Sequence, residues 1–384
     1  MNLFYKPFLA ALALLLSYCG NSPAPAFEPQ QQEPGLGAVE LQRVTGTTAE
    51  SPLLDIGVIV FTSSSQRNET ENFGESVFSE VRDNERHLLP YKLRQALVDS
   101  NHWGAVRVLP AADPSVDLLI DGRVLISDGN ELELAIRASD SSGRLWLDKS
   151  YRDIADETDY PESRDLRRYT PAEMAASTDP FADLYRQIAN DLLQQADMLS
   201  AGQLREIREI SLLSYANDLS PQSFGHMLAT DSAGRVSVAS LPASNDPMLA
   251  RVMDMRRRHH LFIDTVDEYY EALHEEMRSP YLIWRRYSFD QDLAEQRALE
   301  RGADQSKYSS SNGYLTLTQR YDRYRWAKIY EQEYQELAAG FNREAAPAIL
   351  ELNRQVHGLS GTMEEQYGQW RRILRELFLL ETGD

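Results

Sequence analysis

The feature that most limits the fold is a strict alternation of apolar and polar residues over 131–138 (ELELAIRA). Successive side chains of a β-strand point to opposite faces, so Leu132, Leu134, Ile136 and Ala138 share one face. Strand-like segments, 116–127 and 144–151, flank this stretch, and the turn sequences DGN and SDSSG separate the three. We therefore predict an antiparallel meander with one solvated face.

Further elements surround the meander. Residues 56–61 (IGVIVF) and 106–109 predict short buried strands, and a helix with apolar residues at helical spacing is predicted from Phe181. Residues 62–87 are polar and predict a loop with one helical turn.

A helix is predicted after this loop, from Pro90 to Ser100. Asn101 is a plausible C-terminal cap of this helix.

Helical spacing dominates from residue 204 onward, apart from a strand-like alternation over 234–241. The clearest apolar stripe predicts a helix over 248–278 that Pro280 ends. Three more helices are predicted, at 313–341, after Pro347 as far as Gly358, and from Met363. The predicted fold class is α+β, with an N-terminal α/β module (52–200) containing the meander and a mainly α-helical region (201–384).

The order of elements over residues 55–195 resembles the module of curli-secretion-type and flagellar outer-membrane lipoproteins. It is also similar to the N-terminal domain of the Tol translocation protein and to lipoprotein activators of penicillin-binding proteins. In those families a pattern (V/A)D-x-x-(I/L)-x-G-x-(V/I) precedes the meander, matched here by Asp117, Ile120, Gly122 and Val124. The resemblance implies a binding or assembly module without catalysis.

The N-terminus predicts export. Residues 8–16 (FLAALALLL) follow Lys6 and are too few for a permanent span, which needs roughly 20 apolar residues. They suit a signal peptide, assigned to 1–18. Residues 16–19 (LSYC) resemble a lipoprotein box, which implies lipidation of Cys19. The rival is cleavage after residues 24–26 (APA), which would release a soluble periplasmic protein. An N-terminus that is not cleaved is the third alternative.

Lipidation of Cys19 would determine the membrane to which the protein is attached. Gly20 is not the Asp that commonly retains lipoproteins in the inner membrane, so the resemblance implies the outer membrane, facing the periplasm. Residues 19–51 are rich in Pro, Gln, Gly and Thr and predict a flexible tether. Cys19 is the only cysteine, so no intrachain disulfide can form.

The charge balance limits the partners. Lys and Arg number 39 and Asp and Glu 59, a formal net charge of −20. A chain this acidic repels phosphate backbones, which argues against nucleic acid. We expect membrane attachment through the N-terminal lipid, together with an envelope protein or peptidoglycan as partner.

Two clusters are candidate sites. One helix face carries His260, Asp264, Asp267, Glu271 and His274, with spacings at which helical ligands can share a divalent ion. Because this face lies opposite the apolar stripe, a solvated polar face is favoured over a metal site.

The second cluster is basic, and runs from residue 256 to 260. Arg256, Arg257 and Arg258, followed by two histidines, could grip a carboxylate-bearing partner, a lipid phosphate or the chain's own acidic linker at 153–165. An internal or solvated role is favoured over a binding role.

Motifs for catalysis are absent from the sequence, which contains no G-x-S-x-G, phosphate-binding Gly loop or H-E-x-x-H. The leading interpretation is a non-enzymatic envelope lipoprotein that binds, assembles or regulates, without a cofactor. The alternative is an enzyme that processes cell-wall glycan or peptide, with metal assistance through His260 and His274.

Overall fold

The architecture comes from a computed structural model. It describes residues 35–44, 53–63, 75–160, 179–243, 245–300, 349–352 and 355–382. The predicted signal peptide, Cys19 and the predicted helix at 313–341 lie outside these residues. Among the described helices, none is both long and apolar enough to cross a membrane.

A mixed β-sheet forms the N-terminal part. Its strands are β1 (Ile56–Ile59), β2 (Thr62–Ser63), β3 (Val106–Leu109), β4 (Leu118–Ser127), β5 (Glu131–Asp140) and β6 (Leu145–Ile154). The order is β3-β1-β4-β5-β6, and β2 pairs with β4. Strands β3, β1 and β4 are parallel, whereas β4, β5 and β6 form the predicted antiparallel meander.

The buried face of the meander is the predicted one. Leu132, Leu134, Ile136 and Ala138 are all buried. Helices α1 (Glu75–Asp99) and α2 (Ala182–Asp197) pack against each other, with α1 contacting β1 and β3 and α2 contacting β6. A sheet packed on helices, followed by a mainly helical region, makes the fold α+β.

Helix α1 passes through Pro90, so the prediction that this proline opens a helix is wrong, as is the predicted loop over residues 75–87. A proline inside a helix leaves the carbonyl four residues earlier without its N–H donor. Here that carbonyl belongs to Arg86, and it accepts a hydrogen bond from the backbone N–H of Phe61 at 2.9 Å. The sheet thus supplies the donor that the helix lacks. Asn101 has a φ of 55°, which confirms the predicted cap.

The last part of the predicted tether lies against the α/β module. The side chain of Asn190 on α2 accepts from the backbone N–H of Gln42 and donates to the carbonyl of Glu40, both at 2.9 Å. The N–H of Val44 donates to the carbonyl of Ser100. Residues 35–44 are therefore docked, which corrects the prediction that the flexible tether includes them.

The C-terminal part contains helices and two small hairpins. Its elements are α3 (Ala201–Leu219), α4 (Pro221–Phe224), β7 (Leu228–Thr230), β8 (Val236–Val238), α5 (Pro247–Glu300), β9 (Ile349–Leu352), β10 (Gln355–Gly358) and α6 (Met363–Thr382). Pairing of β7 with β8 confirms the predicted hairpin arm at 234–241. Ser200 caps α3 in a reciprocal capping box with Gln203.

Two boundaries in this part differ from the prediction. Helix α5 continues through Pro280, because the next turns are held by burial of Tyr281, Trp284 and Arg285. The segment after Pro347, predicted as a short helix, forms the antiparallel pair β9–β10 instead. Its residues 349–352 (ILEL) are too few to establish a helical period.

Helix α5 is packed on two sides. Its apolar stripe contacts α6, where the Phe262 ring lies 5.2 Å from that of Trp370. Its polar side lies against β3 and α1, where Asp267 accepts from the N–H of Val108 at 2.9 Å. The prediction that this polar face is solvated is therefore wrong for Asp267 and His274, which are buried, whereas Glu271 is exposed. Physically, the Asp267 carboxylate covers a donor on an edge strand that would otherwise be unpaired.

Candidate functional site

The loop between β3 and β4 docks onto α5 through the predicted basic cluster. The backbone carbonyl of Ser115 accepts from Arg256 Nε at 3.1 Å and from Arg256 NH2 at 2.6 Å. The same carbonyl lies 3.2 Å from His260 Nε2. Arg256 NH2 also lies 3.7 Å from the carboxylate of Asp117. These contacts fix the Arg256 guanidinium in place.

The second and third arginines of the cluster point outward. Arg257 and Arg258 form ion pairs with Asp254 on the same helix, at 3.8 and 2.8 Å. The Arg257 side chain is 74% exposed. An exposed pair along a helix contributes only about 0.3–0.5 kcal/mol. Arg257 is therefore readily available to a ligand, whereas Arg256 has an internal role.

A buried polar centre lies directly beneath this surface. The Asp113 carboxylate accepts from His259 Nε2 at 2.9 Å, from the Tyr367 hydroxyl at 2.8 Å and from the backbone N–H of Ser115 at 2.8 Å. Arg371 Nε lies 3.4 Å away. Burial alone would raise the pKa of Asp113, but His259 and Arg371 hold it well below its usual value.

A histidine hydrogen-bonded to an aspartate, as His259 is to Asp113, is an arrangement also found in catalytic sites. Both side chains are fully buried, however, so a substrate has no access to them. Their geometry instead joins three elements, since Asp113 lies in the β3–β4 loop, His259 on α5 and Tyr367 on α6. We interpret this centre as structural support for the surface above it.

An open cleft of about 540 Å³ runs between α3 and α5. Each helix contributes four residues with the same spacing (i, i+3, i+4, i+7), which places them on one face. Asp55, just before β1, lines it as well. The helical lining residues are Arg205, Arg208, Glu209 and Leu212 from α3, and Met253, Arg256, Arg257 and His260 from α5. We call this the arginine cleft.

The arginine cleft is basic in a strongly acidic chain. Burial and then the charges of Arg256 and Arg107 lower the pKa of His260 to about 4, so this histidine is uncharged at neutral pH. The positive charge comes from four arginines, against the lining carboxylates of Asp55 and Glu209. The buried carboxylate of Asp117 lies 3.7 Å from Arg256 and 3.9 Å from Arg208 and offsets part of that charge. The cleft is therefore suited to an anionic group.

The matched pattern residues have structural roles beside the cleft. Asp117 accepts from the Asp55 N–H at 2.9 Å and from the Ser211 hydroxyl, and burial raises the pKa of its carboxyl. Gly122 leaves room for the Phe61 ring, because a Cβ there would lie 2.4 Å from it. Asp117 thus joins the start of β4 to the residue before β1 and to α3, and Gly122 lets β4 pack against Phe61.

The five residues predicted as metal candidates are engaged separately. His260 lies at the cleft, Asp264 pairs with Arg107 at 2.5 Å, and Glu271 is exposed. Within the described segments, no group of three or more His, Cys, Asp or Glu side chains is arranged to hold a metal ion.

The other two candidates are buried at the interface with α1. Asp267 pairs with Arg94 at 2.5 Å, and His274 stacks 4.7 Å from the Tyr91 ring. Burial and then the charge of Lys92 lower the pKa of His274 to about 3, so it is neutral.

Sequence reasoning identified only the α5 half of the cleft, and missed Arg205 and Arg208. One feature of the sequence could have indicated the α3 residues. Arg205 and Arg208 lie outside the buried face of their helix, on the side that also carries Leu212. Nothing local indicates that this side faces the basic cluster of α5.

Comparisons with known proteins leave the site unassigned. No family model matches the chain, and no curated protein matches it significantly. Among solved structures, the chain is similar to the crystal structure of protein XCC0632 from Xanthomonas campestris, of family DUF330. The identity is 14%, the match covers 43% of this chain and 94% of that chain, and the TM-score is 0.20. A likeness at that score carries no argument about fold or function.

Proposed function

We propose that this chain is a non-enzymatic lipoprotein of the bacterial envelope that acts as a binding, assembly or regulatory factor. The N-terminal sequence supports export and a lipid on Cys19, which would place the protein at the outer membrane facing the periplasm. The element order over 55–195 and its resemblance to envelope-lipoprotein modules support a binding role.

The observation that carries the binding role is the arginine cleft. It concentrates four guanidinium groups in a chain of net charge −20. Arg205 is exposed and has no ion-pair partner among the described residues. A ligand can therefore bind this arginine without displacing an ion pair of the protein. The partner would be an envelope component that brings anionic groups to this surface.

Recovery of a partner tests the binding role. Cells expressing the tagged full-length chain are cross-linked, and the envelope fraction is purified and compared with that of cells expressing a tagged unrelated lipoprotein. We expect one defined envelope component to be enriched, and deletion of the gene to impair an envelope function. Recovery of no such component, together with an unchanged envelope after deletion, would contradict the proposal.

Membrane attachment has its own test at Cys19. Wild-type protein is expected in the membrane fraction, with an N-terminal peptide that starts at Cys19 and carries acyl mass. The variant Cys19→Ala should lose the acyl mass and the attachment. Mass spectrometry of both proteins checks this, and a wild-type N-terminus at Phe27 without acyl mass would show ordinary periplasmic release instead.

A further inference from the structure

The arginine cleft is basic, whereas the chain as a whole is acidic, and this contrast limits the size of an anionic ligand. The chain as a whole is acidic, so an extended polyanion or an anionic membrane would be repelled by the surrounding surface. A short anionic segment within the cleft lies closer to the arginines than the Debye length of about 10 Å at 0.1 M salt. The charge distribution thus favours a small or narrow anionic ligand.

The arrangement of the basic groups favours carboxylates. Arg256 is fixed by Ser115, while Arg205, Arg208 and Arg257 are exposed. Arg208 Nε lies 3.9 Å from the carboxylate of Asp117, and Arg257 pairs with Asp254 at 3.8 Å, so both are held only by long contacts that leave N–H donors for a ligand. Arginine presents paired N–H donors that match a carboxylate in a bidentate contact. Several such groups along two facing helices suit a ligand with more than one carboxylate.

The other lining residues favour a peptide. Leu212 and Met253 add apolar surface, and Met253 is 50% exposed. The exposed carboxylate of Glu209 can accept from the backbone N–H groups of a ligand, whereas that of Asp55 already accepts from the N–H of Ala105 at 2.9 Å. An acidic peptide with an apolar side chain satisfies all three kinds of surface, whereas a bare phosphate uses only the arginines.

The described part of the chain's own acidic linker lies away from the cleft. Asp55 and Asp117 precede β1 and β4, whereas the described part of the linker, 153–159, follows the opposite end of the sheet, where Ile154 pairs with Glu131. Strand β4 separates these ends and has ten residues, which span about 33 Å. The described part of the linker therefore does not supply the charge complement of the cleft.

We propose that the arginine cleft between α3 and α5 binds a short acidic peptide segment of a partner protein. This deepens the proposed function and rests on it. The segment lies along the cleft with its carboxylates on Arg205, Arg208 and Arg257 and an apolar side chain on Leu212 and Met253. Arg256, which is held by Ser115, forms a fixed part of the cleft lining against which the segment packs.

Direct binding with purified full-length protein in non-ionic detergent tests this. The probe is a labelled short peptide with several glutamates around a leucine, and its match has glutamines in place of the glutamates. We expect saturable binding of the glutamate peptide, weakened by added salt, and at least tenfold weaker binding of the glutamine peptide. Arg208→Gln should weaken binding of the glutamate peptide about tenfold, which corresponds to the loss of about 1.4 kcal/mol from one charge-assisted contact. Arg372→Gln, an exposed change on α6, should leave binding unchanged.

Other outcomes overturn the inference. Equal binding of both peptides, or wild-type affinity in Arg208→Gln, would remove the charge argument. Binding of inorganic phosphate, of vesicles with anionic lipid or of a cell-wall stem peptide, with loss in Arg208→Gln and no binding of the glutamate peptide, would assign the cleft to that ligand instead. If the peptide fails but cross-linking still recovers a partner, the inference falls and the proposed function stands. If the peptide binds but cross-linking recovers no partner and deletion leaves the envelope unchanged, the ligand assignment of the cleft stands and the proposed function falls.

Discussion

Replacing Arg285 with Met is expected to lower the free energy of unfolding by about 3–5 kcal/mol. The Arg285 side chain is completely buried and pairs with the buried carboxylate of Glu85 at 3.1 Å. It also donates to the Ser127 hydroxyl at 2.7 Å and to the backbone carbonyl of Asp128. Removing the cation leaves the Glu85 charge in the interior without compensation, which is the costly step.

The geometry of this centre makes arginine hard to replace. Its guanidinium contacts α1 at Glu85 and the end of β4 at Ser127, and it lies 4.7 Å from the Phe181 ring before α2. Lysine has one compact donor group and cannot reach these partners together. We therefore expect Arg285→Lys to recover only part of the lost stability.

Chemical denaturation of the variants checks this prediction. Arg372→Met removes an exposed arginine and is expected to change the free energy of unfolding by no more than about 0.5 kcal/mol. The double variant Glu85→Gln/Arg285→Met should be more stable than Arg285→Met alone, since the uncompensated charge is gone. A double variant that is no more stable would show that lost packing, not the buried charge, is responsible.

Local periodicity explains what the sequence predicted well. The alternation at Leu132 to Ala138 repeats every two residues, so it is recognisable within one strand and the turns beside it set the register. The α6 stripe from Met363 repeats at helical spacing and is likewise buried on one side. Both patterns are complete within one element and require no knowledge of its neighbours.

Long-range contacts explain what the sequence could not predict. Pro90 lies inside a helix because Phe61, between β1 and β2, donates its backbone N–H to the carbonyl of Arg86. Asp267 is buried because Arg94 and Val108 supply its partners, from positions far away in the chain. In each case the deciding partner comes from another element, and single-element propensity has no access to it.

The candidate site was half predictable for the same reason. The basic cluster at 256–260 is visible as a run of charge, but its division into inward and outward residues depends on Asp113 and Ser115 in a loop more than 140 residues earlier. Arg208 carries no comparable local signal. Only folding brings the two helix faces together.

Replacing Asp113 with Asn is expected to cost about 3 kcal/mol or more at neutral pH. The carboxylate accepts from His259, Tyr367 and the Ser115 N–H while lying close to Arg371. An amide removes the charge and turns one acceptor into a donor that faces other donors. Burial prevents water from replacing the lost acceptor, so the penalty is that of breaking a buried charged network.

The pH dependence separates the charge of Asp113 from its shape. The folded pKa of Asp113 is held below its unfolded value of about 3.9, so its stabilising contribution is complete above pH 4 and is lost as the pH falls through the folded pKa. Wild type should therefore lose its advantage over Asp113→Asn progressively in acid, with a difference about 1 kcal/mol smaller at pH 3 than at pH 7. Urea denaturation of both proteins at the two pH values measures this. An equal difference at both values would mean that Asp113 acts by packing alone.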